Sequence, residues 1–241
     1  MKHIPEERLR LTTTLTKKAF SSGRESSLHS ALKKWYFLEG DKLEAKVDGF
    51  VIDLVRGDLL IEIQTANFSA IKPKLIRLLN EHKVRLVYPI PKIKWILHRS
   101  KIAGETFQKR KSPKKGRLSD LFDELLRIPT LFSKGNLSVE VLMIEMEEIW
   151  LDDGRGSWRR KGASIEDRRL IRVFEREIFE NKTDFLRILP IDLADHFSNR
   201  NLAKSLGISV NQSRKIIYSL RKIGTIAHVD NERNQMLFAR T

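Results

Sequence analysis

Residues 48–64 read Asp-Gly-Phe-Val-Ile-Asp-Leu-Val-Arg-Gly-Asp-Leu-Leu-Ile-Glu-Ile-Gln, and they decide the fold class. Two apolar runs rich in Val, Ile and Leu flank Gly57-Asp58. That pattern predicts two antiparallel strands joined by a two-residue loop. A glycine in the first loop position suits a type II′ turn, which needs a positive φ there. The turn fixes the register: Arg56 faces Leu59, Val55 faces Leu60, Leu54 faces Ile61, and Asp53 faces Glu62. Side chains alternate between faces. One face therefore carries Ile52, Leu54, Leu59, Ile61 and Ile63, and the other carries Asp53, Glu62 and Gln64. Directly opposed residues have Cβ atoms about 4.5–5.5 Å apart, where like charges repel. Three things answer that repulsion: a hard divalent cation held by oxygens, a proton on one carboxyl, or a Lys or Arg from elsewhere.

The flanking segments extend the pattern. Ser26 or Ser27 caps a helix whose Leu28, Ala31, Leu32 and Trp35 recur at helical spacing, and Lys42 to Val47 alternates like a strand. After Gln64, a helix capped by Ser69 runs to about Asn80, or begins at Lys72 with Pro73 as its first residue. Val84–Tyr88 and Lys94–His98 read as short strands. Helix, three strands, helix, strand implies a mixed sheet with helical cover. Further on, Lys109–Arg117 has six basic residues in nine, with Pro113 and Gly116 against regular structure. A helix is expected from about Ser119, a long strand over Leu137–Trp150, a basic loop over 152–162 and an amphipathic helix over 164–180. Asn201–Leu206, the Gly207-Ile208 turn, Ser209–Lys222 and two strands around 230–234 read as a helix-turn-helix followed by a wing.

Composition narrows the function classes. The 241 residues carry a net charge of +15, and residues 92–117 hold ten Lys or Arg against one Glu. Clustered charge of this sign points to a polyanion, most often nucleic acid. There is no cysteine, so disulfides and Cys-based zinc sites are excluded, and the six histidines show no ligand-like spacing. No apolar run reaches the ~18 residues of a membrane span, and Pro5, Glu6 and Glu7 are unlike a signal peptide. A cytoplasmic protein without membrane partners is the expectation.

Asp53, eight residues, then Glu62-Ile63-Gln64, set in that element order, resembles the PD-(D/E)XK nuclease superfamily over about residues 22–98. The ending Glu-x-Gln is similar to the competence protein family CoiA, and the chain also looks like a family of prokaryotic proteins that share this hairpin and the later basic loop. The resemblance implies a restriction-endonuclease-like mixed sheet flanked by helices. It implies Mg²⁺ or Mn²⁺ held by Asp53, Glu62 and the Ile63 carbonyl, with Gln64 where the family has lysine. An amide orients water but brings no charge, and Lys72 or Lys74 on the next helix is the candidate replacement. The first helix of the superfamily often offers a glutamate, here Glu25. Glu44 and Asp48 are alternative carboxylates, with a turn role preferred for Asp48, which precedes Gly49.

The last sixty residues resemble winged-helix DNA-binding domains. Ser209, Asn211, Gln212, Arg214 and Lys215 would meet base edges or phosphates. Lys72, Lys109, Arg110, Lys111, Lys114, Lys115, Arg117, Arg159 and Arg160 are the remaining candidate phosphate contacts. The expected division is an arm over 1–24, a nuclease-like core over 25–117, a connecting α/β region over 118–181 and a winged helix over 182–241. The expected partner is DNA, duplex or branched. A homodimer is compatible, because cutting both strands often takes two sites. The alternative is a non-catalytic DNA-binding protein built on the same core.

Overall fold

The computed structural model describes residues 26–100 and 108–241. The fold is mixed α/β, a large mixed sheet with flanking helices. It includes the hairpin of β2 (Phe50–Arg56) and β3 (Leu59–Ile63), antiparallel in the expected register of Leu54 with Ile61, Val55 with Leu60 and Arg56 with Leu59. Gly57 has φ +58° while Asp58 stays in the negative-φ region, as a type II′ turn requires. Strand β1 (Lys42–Val47) adds antiparallel to β2, and β3 pairs in parallel with β4 (Lys83–Ser100). Helix α2 (Phe68–Leu78) makes that parallel crossover, and α1 (Ser27–Tyr36) precedes the sheet. The order across the sheet is β1-β2-β3-β4-β6-β7, with β5 (Gln108–Lys111) also on β4; β6 is Leu137–Asp152 and β7 is Ser164–Phe179.

The chain folds as two compact units between which it passes several times, and β4 and β6 contribute to both. One comprises residues 42–88, 118–141 and 178–241. Its core includes Ile52, Leu54, Ile61, Phe68, Leu75 and Leu86, each fully buried. Here α3 (Phe122–Leu125) supplies Glu124, whose carboxylate accepts the Phe68 N–H at 2.9 Å. That bond caps α2, because Asn67 in the left-handed region leaves its own side chain out of the cap. The helix thus starts at Phe68 rather than being capped by Ser69, and it carries Pro73 inside. The same unit ends in α4 (Asn199–Leu206), α5 (Val210–Ile223) and the antiparallel pair β8 (Ile226–Glu232) and β9 (Gln235–Arg240). A capping box of Ser198 and Asn201 starts α4, and Gly207, at φ +60°, ends it.

The other unit comprises the described residues of 1–41, 89–117 and 142–177. Three expectations change here. Where an amphipathic helix is expected over 164–180, the chain forms the strand β7, Ser164–Phe179. Arg168 and Arg172 recur at a spacing of four, which fits one face of a helix and equally one face of a strand. Strand pairing prevails because their Nε atoms reach buried Glu148 (3.1 Å) and Glu145 (2.8 Å) on β6. Trp95 Nε1 also donates to Glu145 at 2.7 Å, and Trp150 Nε1 to Glu148 at 2.8 Å. Burial pushes both carboxyls up, but these donors outweigh it and hold both below the ordinary carboxylate range.

The second change is that Lys83–Ser100 is one strand, running through Pro89 and Pro91. Val87 O accepts from Gln64 N, so Val87, Pro89 and Pro91 direct their backbone groups to the same edge. Pairing with β3 ends at Val87 and pairing with β5 begins at Trp95, so the prolines fall where that edge needs no ladder donor. The third is that the basic segment 109–117 is irregular only in its second half. Its first half is the edge strand β5.

Candidate active site

The hairpin ladder stops where the carboxylates begin. Pairing of β2 with β3 ends at Leu54 and Ile61, and beyond it Asp53 Oδ2 accepts the Ile63 N–H at 2.8 Å. A side chain thus occupies the position of a strand partner. On the other flank, Leu43 pairs with Leu54 and Ala45 with Ile52, while Glu44, opposite Asp53, has φ +49° and is exposed. The sheet therefore opens on both sides of Asp53. Sequence pattern alone does not reveal this opening, because the alternation continues straight through it.

The polar face of the hairpin does not look into water. Glu62 is 6 % exposed, and the cover is α2, whose Lys74 sends Nζ to the Glu62 carboxylate and to Val51 O. Lys72 lies about 200° round the helix from Lys74, on the opposite side. Of the two lysines in view from the sequence, Lys74 is the one brought to the site. Burial pushes the Glu62 carboxyl up, and the neighbouring Asp53 charge pushes it further. Lys74 and the Asp53 backbone N–H pull it back, and the result is about 7. Lys74 therefore only partly compensates the carboxylate pair.

Gln64 is turned away from this pair. Its Nε2 donates to Ala66 O and lies 3.5 Å from Asn67 O, shaping the loop that leads into α2. Asp48 has φ +50° and pairs with His82 at 2.9 Å, a turn role. Asp58 pairs with Lys83 across the hairpin turn at 2.9 Å. Glu25 lies outside the described residues. Among the described residues no three His, Cys, Asp or Glu side chains gather as a metal-ligand group. The oxygens that could hold a cation are the Asp53 and Glu62 carboxylates with the Ile63 carbonyl, which shares the β2-facing edge with the Ile63 N–H. This is a hard, all-oxygen set with incompletely balanced charge, the donor chemistry of Mg²⁺ or Mn²⁺.

The basic candidates fall in separate groups. On β5, Lys109 and Lys111 lie over the Trp95 ring at 5.0 and 5.6 Å, and Arg110 lies over Trp150 at 5.6 Å. Lys114, Lys115 and Arg117 follow in an exposed segment whose Gly116 N–H donates to Pro91 O at 2.9 Å. Arg159 and Arg160 sit in a short 3₁₀ turn, Trp158–Arg160. Together with Lys109, Arg110, Lys161, His98, Trp150 and Asp152 they line a cleft of about 880 Å³. Lys161 belongs to the basic loop expected over 152–162, but its meeting with β5 and the cleft's aromatic wall is not apparent from the sequence, because these come together only through the pairing of β4 with β5 and the folded loop after β6.

At the start of α5, Ser209 caps the helix by accepting the Gln212 N–H. Gln212 Nε2 donates to Ser119 O at 2.9 Å, and Lys215 Nζ pairs with Asp123 at 2.7 Å. These two side chains are spent on the segment before and within α3. Asn211 and Arg214 are exposed.

A mixed α/β protein with a carboxylate-bearing hairpin under a helix is the class that fold and site define. Residues 26–180 match the family described as "Domain of unknown function (DUF8091)", and the chain belongs to that family. It is also similar to a protein of Treponema pallidum (strain Nichols) described as "Uncharacterized protein". The two are 33% identical over 183 residues, 76% of this chain and 72% of that protein. No solved structure matches. The family match takes in the hairpin, α2, the basic segment and β7, and ends before α4. Among the described residues no helix is long and apolar enough to cross a membrane.

Proposed function

We propose that the protein is a divalent-metal-dependent deoxyribonuclease of the PD-(D/E)XK type. The observation that carries this is the meeting of Asp53 and Glu62 where the ladder opens, with an ammonium beside them. Asp53, Glu62 and the Ile63 carbonyl would hold the cation, Mg²⁺ or Mn²⁺. When bound, it supplies Lewis acidity toward a phosphodiester and lowers the pKa of a water. Lys74 takes the role of the motif lysine that Gln64 cannot fill, bringing positive charge to the reacting phosphate from α2 instead of β3. Glu62, near 7, moves between neutral and ionised forms around physiological pH. Cation binding therefore requires it to lose a proton. The basic residues of β5 and of the segment after it hold the DNA backbone. Residues 182–241 act as a winged helix that orients DNA, with Asn211 and Arg214 as its reading side chains and Gln212 and Lys215 anchoring it to residues 119–123.

The test is incubation with duplex, single-stranded and branched DNA in Mg²⁺, Mn²⁺ or EDTA. Cleavage that needs the metal and disappears in Asp53→Asn and Glu62→Gln supports the reading; none under any condition refutes it. Two observations favour a second reading, a DNA-binding protein without catalysis: Lys74 already gives the buried Glu62 carboxylate a cationic partner without a metal, and the Gln64 amide is committed to its own loop. That reading predicts binding that weakens steeply with salt and is indifferent to Asp53→Asn.

A further inference from the structure

The cleft beside β5 shares no residue with Asp53, Glu62 or Lys74, and its lining has a distinct chemistry. Five cationic side chains, Lys109, Arg110, Arg159, Arg160 and Lys161, face one carboxylate, Asp152. Lys109 pairs with Glu147 at 2.8 Å, and Arg160 Nε donates to Ala163 O at 3.0 Å. Among the described residues Arg110, Arg159 and Lys161 form no ion pair, so their charge is available to a ligand. Such a concentration of like charge is repulsive unless an anion answers it.

The second feature is aromatic. Trp150 forms part of the wall, edge-on to His98 at 5.0 Å, and is 8 % exposed. Trp158, next to the lining residue Arg159, is 83 % exposed. An indole left in water forgoes one of the largest burial gains any side chain offers. Its exposure is not the result of a loose loop. Asp153 accepts from Arg155 N at 3.0 Å and from Ser164 Oγ at 2.9 Å. Gly156 N donates to Gly162 O at 2.7 Å, Lys161 N to Trp158 O at 2.9 Å and Gly162 N to Ser157 O at 3.2 Å. A Cβ on Gly156 would lie 1.6 Å from Ala163 O, so the two arms of the loop touch backbone to backbone. A hydrogen-bonded loop thus presents an indole and cations side by side.

We propose that this cleft binds single-stranded nucleic acid, with successive phosphates on Arg110, Arg159 and Lys161 and an unpaired base stacked on Trp158. Cations along a groove with an exposed ring adjoining it, here Trp158 next to the lining residue Arg159, are the combination that tracks a single strand. A duplex offers phosphates alone, its bases being stacked on one another, and leaves the indole unused. The inference rests on the nucleic-acid part of the proposed function and not on cleavage. It adds that the substrate carries an unpaired stretch.

The test is fluorescence anisotropy in EDTA, where no cutting occurs, with a short labelled oligothymidylate and a duplex of equal length across a salt series. The full chain is expected to prefer the single strand. Trp158→Ala should weaken that binding roughly 5- to 150-fold, the range for loss of one base stack, without changing the salt slope. Trp158→Phe should restore most of it. Arg159→Ala with Lys161→Ala should flatten the slope by about 1.4, since each single-strand phosphate contact contributes about 0.7. Single-strand affinity unchanged in Trp158→Ala, or a preference for duplex at every salt concentration, overturns the proposal. Absence of binding to either oligomer overturns it together with the nucleic-acid reading. Single-strand binding without any metal-dependent cleavage supports this proposal and overturns the nuclease alone.

Discussion

Glu62→Gln should make the protein more stable above neutral pH while abolishing the proposed metal site. Burial, with Asp53 adding to it, raises the Glu62 carboxyl from its ordinary 4.5 to about 7. The unfolded chain loses this proton near the ordinary value and the folded chain only near 7. Between those two values the folded state holds the extra proton, so stability falls as pH rises through that window and levels off above it. One pH unit is worth about 1.4 kcal/mol, so the ionised side chain costs the fold roughly 3 kcal/mol at pH 8. Glutamine occupies almost the same volume, accepts a hydrogen bond from Lys74 and carries no charge. The variant should therefore gain roughly 3 kcal/mol at pH 8, about 6 °C for a chain of this size, and almost nothing at pH 4. The readout must follow the unit that contains Glu62. All four tryptophans, Trp35, Trp95, Trp150 and Trp158, belong to the other unit. Far-UV circular dichroism, which reports α2, α4 and α5, is the suitable signal. A variant less stable than the parent at pH 8, or shifted equally at pH 4 and pH 8, would show that ionised Glu62 does not cost the fold stability.

Lys74→Met removes the ammonium that pulls the Glu62 carboxyl down, so the pH window of falling stability should move above 7. The same dichroism melts across pH check this, and metal-dependent cleavage should be lost in parallel. Gly156→Ala forces a methyl into Ala163 O and should destabilise the loop-bearing unit by about 3 kcal/mol, as overpacking against backbone does. Tryptophan fluorescence during urea unfolding measures it, and an unchanged midpoint would contradict the close approach of the two arms.

Much of the hairpin is legible in the chain because two local signals agree. Gly57-Asp58 specifies the turn, and a period of two fixes which residues oppose which. The same signals bring Asp53 and Glu62 together. They say nothing of the left-handed Glu44 that opens the sheet beside Asp53, since a single positive φ at a glutamate leaves no trace in hydropathy. Nor do they choose between Lys72 and Lys74, because that depends on how α2 is rotated over the sheet. Helix α2 is itself started by Glu124, a residue 56 positions away from Phe68, which is why a local cap such as Ser69 is the wrong start. Strand β7 is hidden by a coincidence of period: a spacing of four between Arg168 and Arg172 serves helix and strand alike, and the deciding partners lie on β6. The cleft is the least legible part. Its residues come from four separate stretches of sequence and form a surface only through tertiary pairing.

The proposed activity requires that Asp53 and Glu62 share a cation. A crystal soaked in Mn²⁺ above pH 7, where Glu62 is ionised, measures this most directly through the anomalous signal of the metal. A peak is expected between the two carboxylates within about 2.0–2.6 Å of oxygens from Asp53, Glu62 and Ile63, the range for hard cations on oxygen ligands, with the Lys74 ammonium displaced from Glu62. An intact Lys74–Glu62 pair at saturating Mn²⁺, with no peak at Asp53, would contradict it.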